Sequence, residues 1–271
     1  MIAEGGPSLT AQRVAAHRLG YDRIPAPYGD PAADDALAAE VAGDIQVPDG
    51  RMHEYLAVRT AFFDRIVVSA IDRGTGQIVI GGAGYDGRAL RYAAPGVRWF
   101  EVDHPATQRD KLAKLRQLGL DAGHVRFVAV DFTQDPADER LTGAGLDASA
   151  PTLFLLEGVA VYLEAAVLEA LLGQFRDVAA PGSRLAISMP VTGTFRAGSR
   201  FRAAVAGLGE PALSRFEPSE AEGLLARTGW HLAARTGQDD EPAAARHERL
   251  RVAGLLTAQA GPRELPALPG R

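Results

Sequence analysis

Cysteine is absent from this chain. Disulfide bridges, thiolate nucleophiles and zinc–thiolate centres are therefore excluded within it, and a reducing compartment is compatible. Long apolar runs are absent too. The longest, "TLFLLEGVAVYL" at 152–163, falls well short of the roughly 20 residues that a membrane helix needs. The first residues, "MIAEGGPSLTAQR", have no apolar core and do not read as a signal peptide. The expected setting is the cytoplasm, with no membrane partner and no metal. There is no excess of basic charge: the net charge is −5 over 271 residues, so a nucleic-acid backbone is not an expected partner. The oligomeric state stays open.

What is present suits a folded globule. Hydrophobic residues make up 46% and charged residues 23%, near the averages for soluble domains. The length allows one large α/β domain, alone or with an appended helical piece. The simplest division is one domain: an N-terminal helical cap over 1–72, an α/β core over 77–258 with a substrate-side insertion at 190–227, and a loose tail at 259–271.

The cap reads as three helices. "SLTAQRVAAHRLG" at 8–20 has Ser8 or Thr10 as a cap and Gly20 as a stop. "AADDALAAEVAG" closes at Gly43, and a longer helix covers 52–72, with Leu56, Phe63, Ile66, Val67 and Ala70 near helical period. Then the rhythm changes. "QIVIGG", "VRWFEVD", "VRFVAVD", "PTLFLLEG" and "SRLAISM" read as strands, with helices over "RALRYAA", 106–119 and 164–179 between them. Strand–helix alternation implies βαβ units with right-handed crossovers and a mostly parallel sheet. Near-continuous apolar strands are those covered on both faces. After residue 190, helices are expected at 192–209 and 218–229, and last strands in "WHLAARTG" and "RLRVAGLLTA".

The chemistry concentrates around "IVIGGAGYDGR" at 78–88. Gly82-x-Gly84-x-x-Gly87 has the spacing of a dinucleotide-binding turn, in which glycines let a ligand approach the backbone. A pyrophosphate there would sit at a helix N-terminus, and Asp86 would lie against it at unfavourable charge. S-adenosyl-L-methionine (SAM) carries a sulfonium, an ammonium and a carboxylate but no phosphate. It tolerates the acid, and Arg88, Arg91 or Arg59 could take its carboxylate. The next strand ends carry Asp103, suited to both ribose hydroxyls. They also carry Asp131 with Phe132, which could meet an adenine amino group and ring or simply cap a helix. Glu157 either faces the crevice or favours a helix dipole.

Taken together, "AVRTAFFD" (57–64), "GAGYDGRALR" (82–91), "EVDHP" (101–105), "VDF" (130–132) and "LLEGVAVYL" (155–163) resemble the leucine carboxyl methyltransferase family in its actinobacterial branch. "TAQRVAAHR" and "DPAADDALA" match as well, and the resemblance runs over about 8–190. It implies a class I, Rossmann-like, SAM-dependent methyltransferase with a mostly parallel seven-stranded sheet and helices on both faces. By match to the family pattern, Arg59 would hold the SAM carboxylate, and Gly82, Ala83 and Gly84 would line the methionine part beside Asp86 and Arg88. Asp103 would bind the ribose, Asp131 and Phe132 would meet the adenine, and Glu157 would face the amino group. Arg13 and Arg18 compete for a further N-terminal basic contact. The family commonly has Thr at the position of Gly87, which makes that glycine incidental, and Gln or another residue at His104.

The implied reaction is O-methylation of a carboxylate or hydroxyl, on a small molecule or a peptide carboxyl group, with S-adenosylhomocysteine (SAH) as product. A carboxylate needs no base, whereas a hydroxyl is helped by one. The candidates are Tyr162, His104 and His53, each of which also has an ordinary packing or capping explanation. Arg196, Arg200 and Arg202 could recognise a carboxylate or form a solvated helix face. The competing readings are a SAM-binding protein without transfer activity and an NAD-dependent oxidoreductase.

Overall fold

The structure is a computed structural model and describes residues 6–47, 50–193, 199–232 and 254–261. Three helices come first: α1 (Leu9–Arg18), α2 (Pro31–Ala42) and α3 (Arg51–Asp72). The core then runs β1 (Gln77–Gly81), α4 (Arg88–Arg91), β2 (Arg98–Asp103), α5 (Pro105–Gln117), β3 (Val125–Ala129), α6 (Ala137–Gly143) and β4 (Leu153–Leu156). A 3-10 turn, Ala160–Tyr162, leads to α7 (Ala165–Asp177) and β5 (Arg184–Ser188). Helices α8 (Ser199–Ala206) and α9 (Pro218–Arg227) precede β6 (Trp230–Leu232) and β7 (Leu255–Ala260).

The seven strands form one sheet in the order β3-β2-β1-β4-β5-β7-β6. The first five pair in parallel, and β7 runs antiparallel between β5 and β6. The expected mostly parallel sheet is therefore present, with an antiparallel edge.

The two-residue period of the strands splits the core. Val79, Phe100, Phe154 and Leu156 face one side and pack against α7, where Leu168, Leu172 and Phe175 are buried. Ile78, Ile80, Trp99 and Leu155 face the other and meet Phe63, Val67 and Ala70 of α3. Both faces of β1 are covered, which is why its sequence is apolar throughout. The α3 stripe matches the expected apolar positions, except that Ile66 is only half-buried. The same stripe buries Arg59 and Asp64, which no apolar periodicity accounts for.

Several boundaries move. Helix α4 is a single turn ending at Arg91, shorter than the expected 88–94, and α6 lies where no helix was expected. The expected helix over 192–209 is limited to α8 among the described residues. The expected loose tail starts too early, because Gln259 and Ala260 pair with His231 and Trp230 across β7 and β6. Arg196, the side chain of Arg200, residues 233–237, residues 249–253 and the tail from 262 onward lie outside the described residues. Among the described residues, no helix is long and apolar enough to cross a membrane.

Trp230 anchors the antiparallel edge. It is fully buried, packs edge-on to Phe154 at 5.7 Å and donates its indole N–H to the Leu172 carbonyl at 2.9 Å. Trp230→Ala should cost about 3–5 kcal/mol, read as a lower urea midpoint at unchanged m-value.

Candidate functional site

Strand order reverses on either side of β1, between β2 and β4. At such a switch point the loops leaving adjacent strand ends diverge and open a crevice. Here the loops after β1 and β4 frame a cavity of about 1000 Å³. That lies at the upper end of the roughly 300–1,000 Å³ of small-molecule sites.

The loop after β1 needs its glycines for two different reasons. Gly82 and Gly84 have φ of +64° and +51°, in the left-handed region that a side chain disfavours. A Cβ at Gly82 would also overlap Val159, and one at Gly84 would press on the Ala11 Cβ of α1. Gly87 has an ordinary backbone, but a Cβ there would overlap the Asp34 carboxylate. The sequence reading of Gly87 as incidental is therefore corrected: α2 packs directly on its hydrogen.

Asp103 ends β2 at the cavity. It accepts hydrogen bonds from the Gly84 N–H and, at 2.6 Å, from the His104 N–H. Burial raises its pKa, against the lowering pull of those two N–H groups. Each carboxylate oxygen keeps a further lone pair for a ligand. Asp131 and Phe132 also line the cavity. Asp131 accepts from Thr133 N–H and O–H and from Gln134 Nε2. It thus closes its own turn, while α6 has Pro136 as its N-cap and no side-chain cap. His104 lines the cavity as the N-cap of α5, and its Nδ1 accepts the Ala106 N–H at 3.2 Å. In the neutral ring that bond leaves the proton on Nε2, so His104 offers the cavity a donor rather than a base. Tyr162 lines the cavity from the 3-10 turn.

Behind the cavity wall lies a buried ion cluster. Glu157 takes Arg59 Nε on one oxygen at 2.8 Å, and Arg88 Nη1 and Arg18 Nη2 on the other at 2.5 and 3.4 Å. Asp86 takes Arg88 at 2.5 Å and Arg18 at 3.3 Å. Arg88 also holds Asp64 at 2.7 Å, and Asp64 in turn holds Arg23 at 2.6 Å. Asp34 bridges Arg23 and Arg91, and Arg91 reaches the exposed Asp35. Burial alone would raise the carboxyl pKa values. The guanidinium groups overcome it: Arg18 and Arg88 bring Asp86 down to about 2, and Arg88, Arg59 and Arg18 lower Glu157 strongly.

These contacts sort the candidate residues. The cavity brings together Arg59, Gly82, Ala83, Gly84, Asp86, Asp103, His104, Asp131, Phe132, Glu157 and Tyr162. It does not include Arg88, whose guanidinium is fully buried and committed to three carboxylates and the Thr60 carbonyl. Arg88 is therefore corrected from a ligand contact to a support behind the wall. Arg91 belongs to α2 through Asp34 and Asp35. Of the two N-terminal arginines, Arg18 reaches the cavity and Arg13 is exposed. His53 sits against His17, Nδ1 to Nδ1 at 3.3 Å, outside the cavity lining. Arg202 is half-buried and also outside it.

Asp86 departs from expectation as well. Its charge is not bare, since two arginines neutralise it. What excludes a pyrophosphate is occupancy: Asp86 Oδ1 already accepts the Arg88 N–H at 2.9 Å, at the start of a helix of one turn.

Sequence reasoning missed Asp64, Asp34 and Glu210. Asp64 and Asp34 stand inside the quoted motifs "AVRTAFFD" and "DPAADDALA", where a charge on a buried helix stripe was the available signal. Glu210 lines the cavity from 200 residues away and binds the start of α1, and no local pattern marks it.

A profile described as "Leucine carboxyl methyltransferase" matches residues 12–176. The chain belongs to the leucine carboxyl methyltransferase family. A candidate SAM-dependent methyltransferase of Parafrankia sp. is 41% identical over 177 residues, covering 62% of this chain and 55% of that protein. One from Mycobacterium tuberculosis H37Rv is 37% identical over 201 residues, covering 69% and 66%. The matched part of the chain thus spans little more than half the length of the first of these relatives. Two solved structures share the fold. A methyltransferase structure from Thermobifida fusca has a TM-score of 0.59 at 18% identity, over 96% of this chain and 97% of that one. A family protein from Streptomyces avermitilis has a TM-score of 0.57 at 15% identity, over 94% and 98%. The profile match ends at the end of α7, before α8 and Glu210.

Two measurements test the wall of this site. Gly87→Ala should lower stability by about 1–3 kcal/mol through overpacking on Asp34, whereas Gly143→Ala, with nothing within 4 Å, should not. The lowered carboxyl pKa values give a sign for pH. Asp86 contributes stability in full above its unfolded value of 3.8 and loses it as the pH falls toward about 2. Thermal scans should show a steep loss over that window, on the order of 2 kcal/mol from Asp86, and Asp86→Asn should flatten it.

Proposed function

We propose that this chain is a SAM-dependent O-methyltransferase that acts on a carboxylate or hydroxyl of a small molecule or peptide carboxyl group. The observation that carries the reading is the Arg59–Glu157 pair on the cavity wall, next to the Gly82–Gly84 turn. An opposed guanidinium and carboxylate are the complement of an amino-acid zwitterion. Arg59 is buried and spends Nε on Glu157, which leaves its two Nη groups for a carboxylate. Glu157 would take the ammonium. Asp103 would take the ribose hydroxyls on its remaining lone pairs, with Asp131 and Phe132 beside the adenine. The positive φ of Gly82 and Gly84, which glycine adopts without strain, brings the backbone of this turn to the cavity lining.

The cofactor supplies an electrophilic methyl group on a sulfonium centre. The chain's own task is alignment and exclusion of water. Ala11 and Val14 of α1 cover the glycine turn, and Leu163, Val167 and Leu213 give the far side of the cavity an apolar lining. Tyr162 stands between these regions and would meet the acceptor. Its turn is held by hydrogen bonds from the Leu213 N–H to the Val161 carbonyl and from the Ser214 hydroxyl to the Leu163 carbonyl. His104 would donate from Nε2. An ionised carboxylate acceptor needs no base from these residues, and a hydroxyl acceptor would rely on its own acidity or on solvent.

Isothermal titration should show binding of both SAM and SAH. Asp103→Ala should weaken SAH by at least about 100-fold, as expected for losing two hydrogen bonds to a charged group at about 1.5–3 kcal/mol each. Failure of the wild-type protein to bind either ligand overturns the proposal.

A further inference from the structure

The cavity is covered by two pieces that are far apart in sequence. One is α1, which contributes Thr10, Ala11, Val14 and Arg18. It lies on the glycine turn through Ala11, and its last residue pairs with Asp86 and Glu157. The other is the segment after α8, which contributes Gly209, Glu210, Pro211 and Leu213. It is tied to the turn that carries Tyr162. The first piece covers the strand ends with Asp103 and Glu157, and the second covers the apolar end.

Glu210 joins them. The start of a helix leaves four N–H groups without partners inside the helix. In α1 the four are those of Ser8, Leu9, Thr10 and Ala11: the Ser8 N–H goes to Thr107 Oγ1 of α5 at 3.2 Å, and the Ala11 N–H goes to the Ser8 hydroxyl at 3.1 Å. The other two, Leu9 N–H and Thr10 N–H, go to Glu210 Oε1 at 2.7 and 3.2 Å. Glu210 Oε2 accepts the hydroxyls of Ser8, at 3.0 Å, and Thr10. One carboxylate, 8% exposed, thus takes four donors from another part of the chain. A negative charge at that end also suits the helix dipole.

We propose that Glu210 is a positioning residue, the latch through which the helix over the cofactor side and the segment over the acceptor side close as one cover. This rests on the cofactor reading above. Lifting α1 or the 207–214 segment alone strips the latch of its donors. Binding at the glycine turn, which presses on Ala11 and Arg18, therefore orders the acceptor side through Glu210. The cofactor would organise the acceptor pocket before the acceptor arrives.

The test uses the full chain with SAH as probe, read by stopped-flow binding and by amide hydrogen exchange. In the wild-type protein, SAH should protect both 82–90 and 207–214. In Glu210→Gln, which keeps size but loses charge, protection of 82–90 should persist and that of 207–214 should vanish. The SAH dissociation rate should rise at least tenfold, with the association rate changed less. Thr10→Val, which removes one donor, should fall between the two. An unchanged dissociation rate or retained protection of 207–214 in Glu210→Gln overturns the latch. If wild-type protein fails to bind SAH, the cofactor reading is what fails. The latch is then judged without ligand: it stands if Glu210→Gln speeds exchange in both 9–12 and 207–214, and falls if only one segment responds.

Discussion

Arg88 has no exposure to water, and its guanidinium meets the carboxylates of Asp64, Asp86 and Glu157. A charge taken out of water costs several kcal/mol unless its partners surround it. Each of these carboxylates comes from a different part of the chain: α3, the loop after β1 and the loop after β4. The arginine can be buried only when all three are in place. Its neighbours repeat the logic, as Arg23 ties the loop at 21–31 to Asp64 and Asp34 and Arg18 ties α1 to Asp86 and Glu157. Five arginines (18, 23, 59, 88 and 91) meet five carboxylates (34, 35, 64, 86 and 157) in one connected set. The N-terminal helices are held to the sheet by this set as well as by apolar packing.

The functional wall is the outer layer of the same cluster. Glu157 can stand charged at the cavity because Arg59, Arg88 and Arg18 compensate it. A carboxylate with three guanidinium neighbours stays ionised at any physiological pH, so the wall keeps a fixed charge pattern. Beneath the glycine loop, Lys111 plays a related part. It donates to the Asp86 carbonyl at 2.6 Å and to Glu101 at 2.5 Å. Burial pushes the Glu101 pKa up to about 7, against the pull of Lys111. The loop is thus gripped from its backbone as well as from its side chains.

Much of this was legible in the sequence. Strands such as "QIVIGG" and "TLFLL" stood out because strands covered on both faces are apolar along their whole length. Gly82, Gly84, Asp103, Asp131 and Glu157 were legible because they end strands, and strand ends in this topology converge at the switch point. Helix α6 was not legible, since one or two turns without caps leave little periodicity. The role of Gly87 was hidden for a different reason: its hydrogen touches Asp34, 53 positions earlier, and no local rule looks that far.

The sequence by itself determined the fold class, the glycine turn and the acidic strand ends, because these depend on local period, local conformation and chain order. Only the tertiary structure decided which charges face the cavity and which stand behind it. Arg59 and Arg88 look alike in sequence, yet Arg59 lines the cavity and Arg88 spends its donors on buried partners behind it. It also revealed Glu210 at the start of α1. Charge compensation and helix capping across 200 residues are set by which surfaces pack together, and packing is a property of the folded chain.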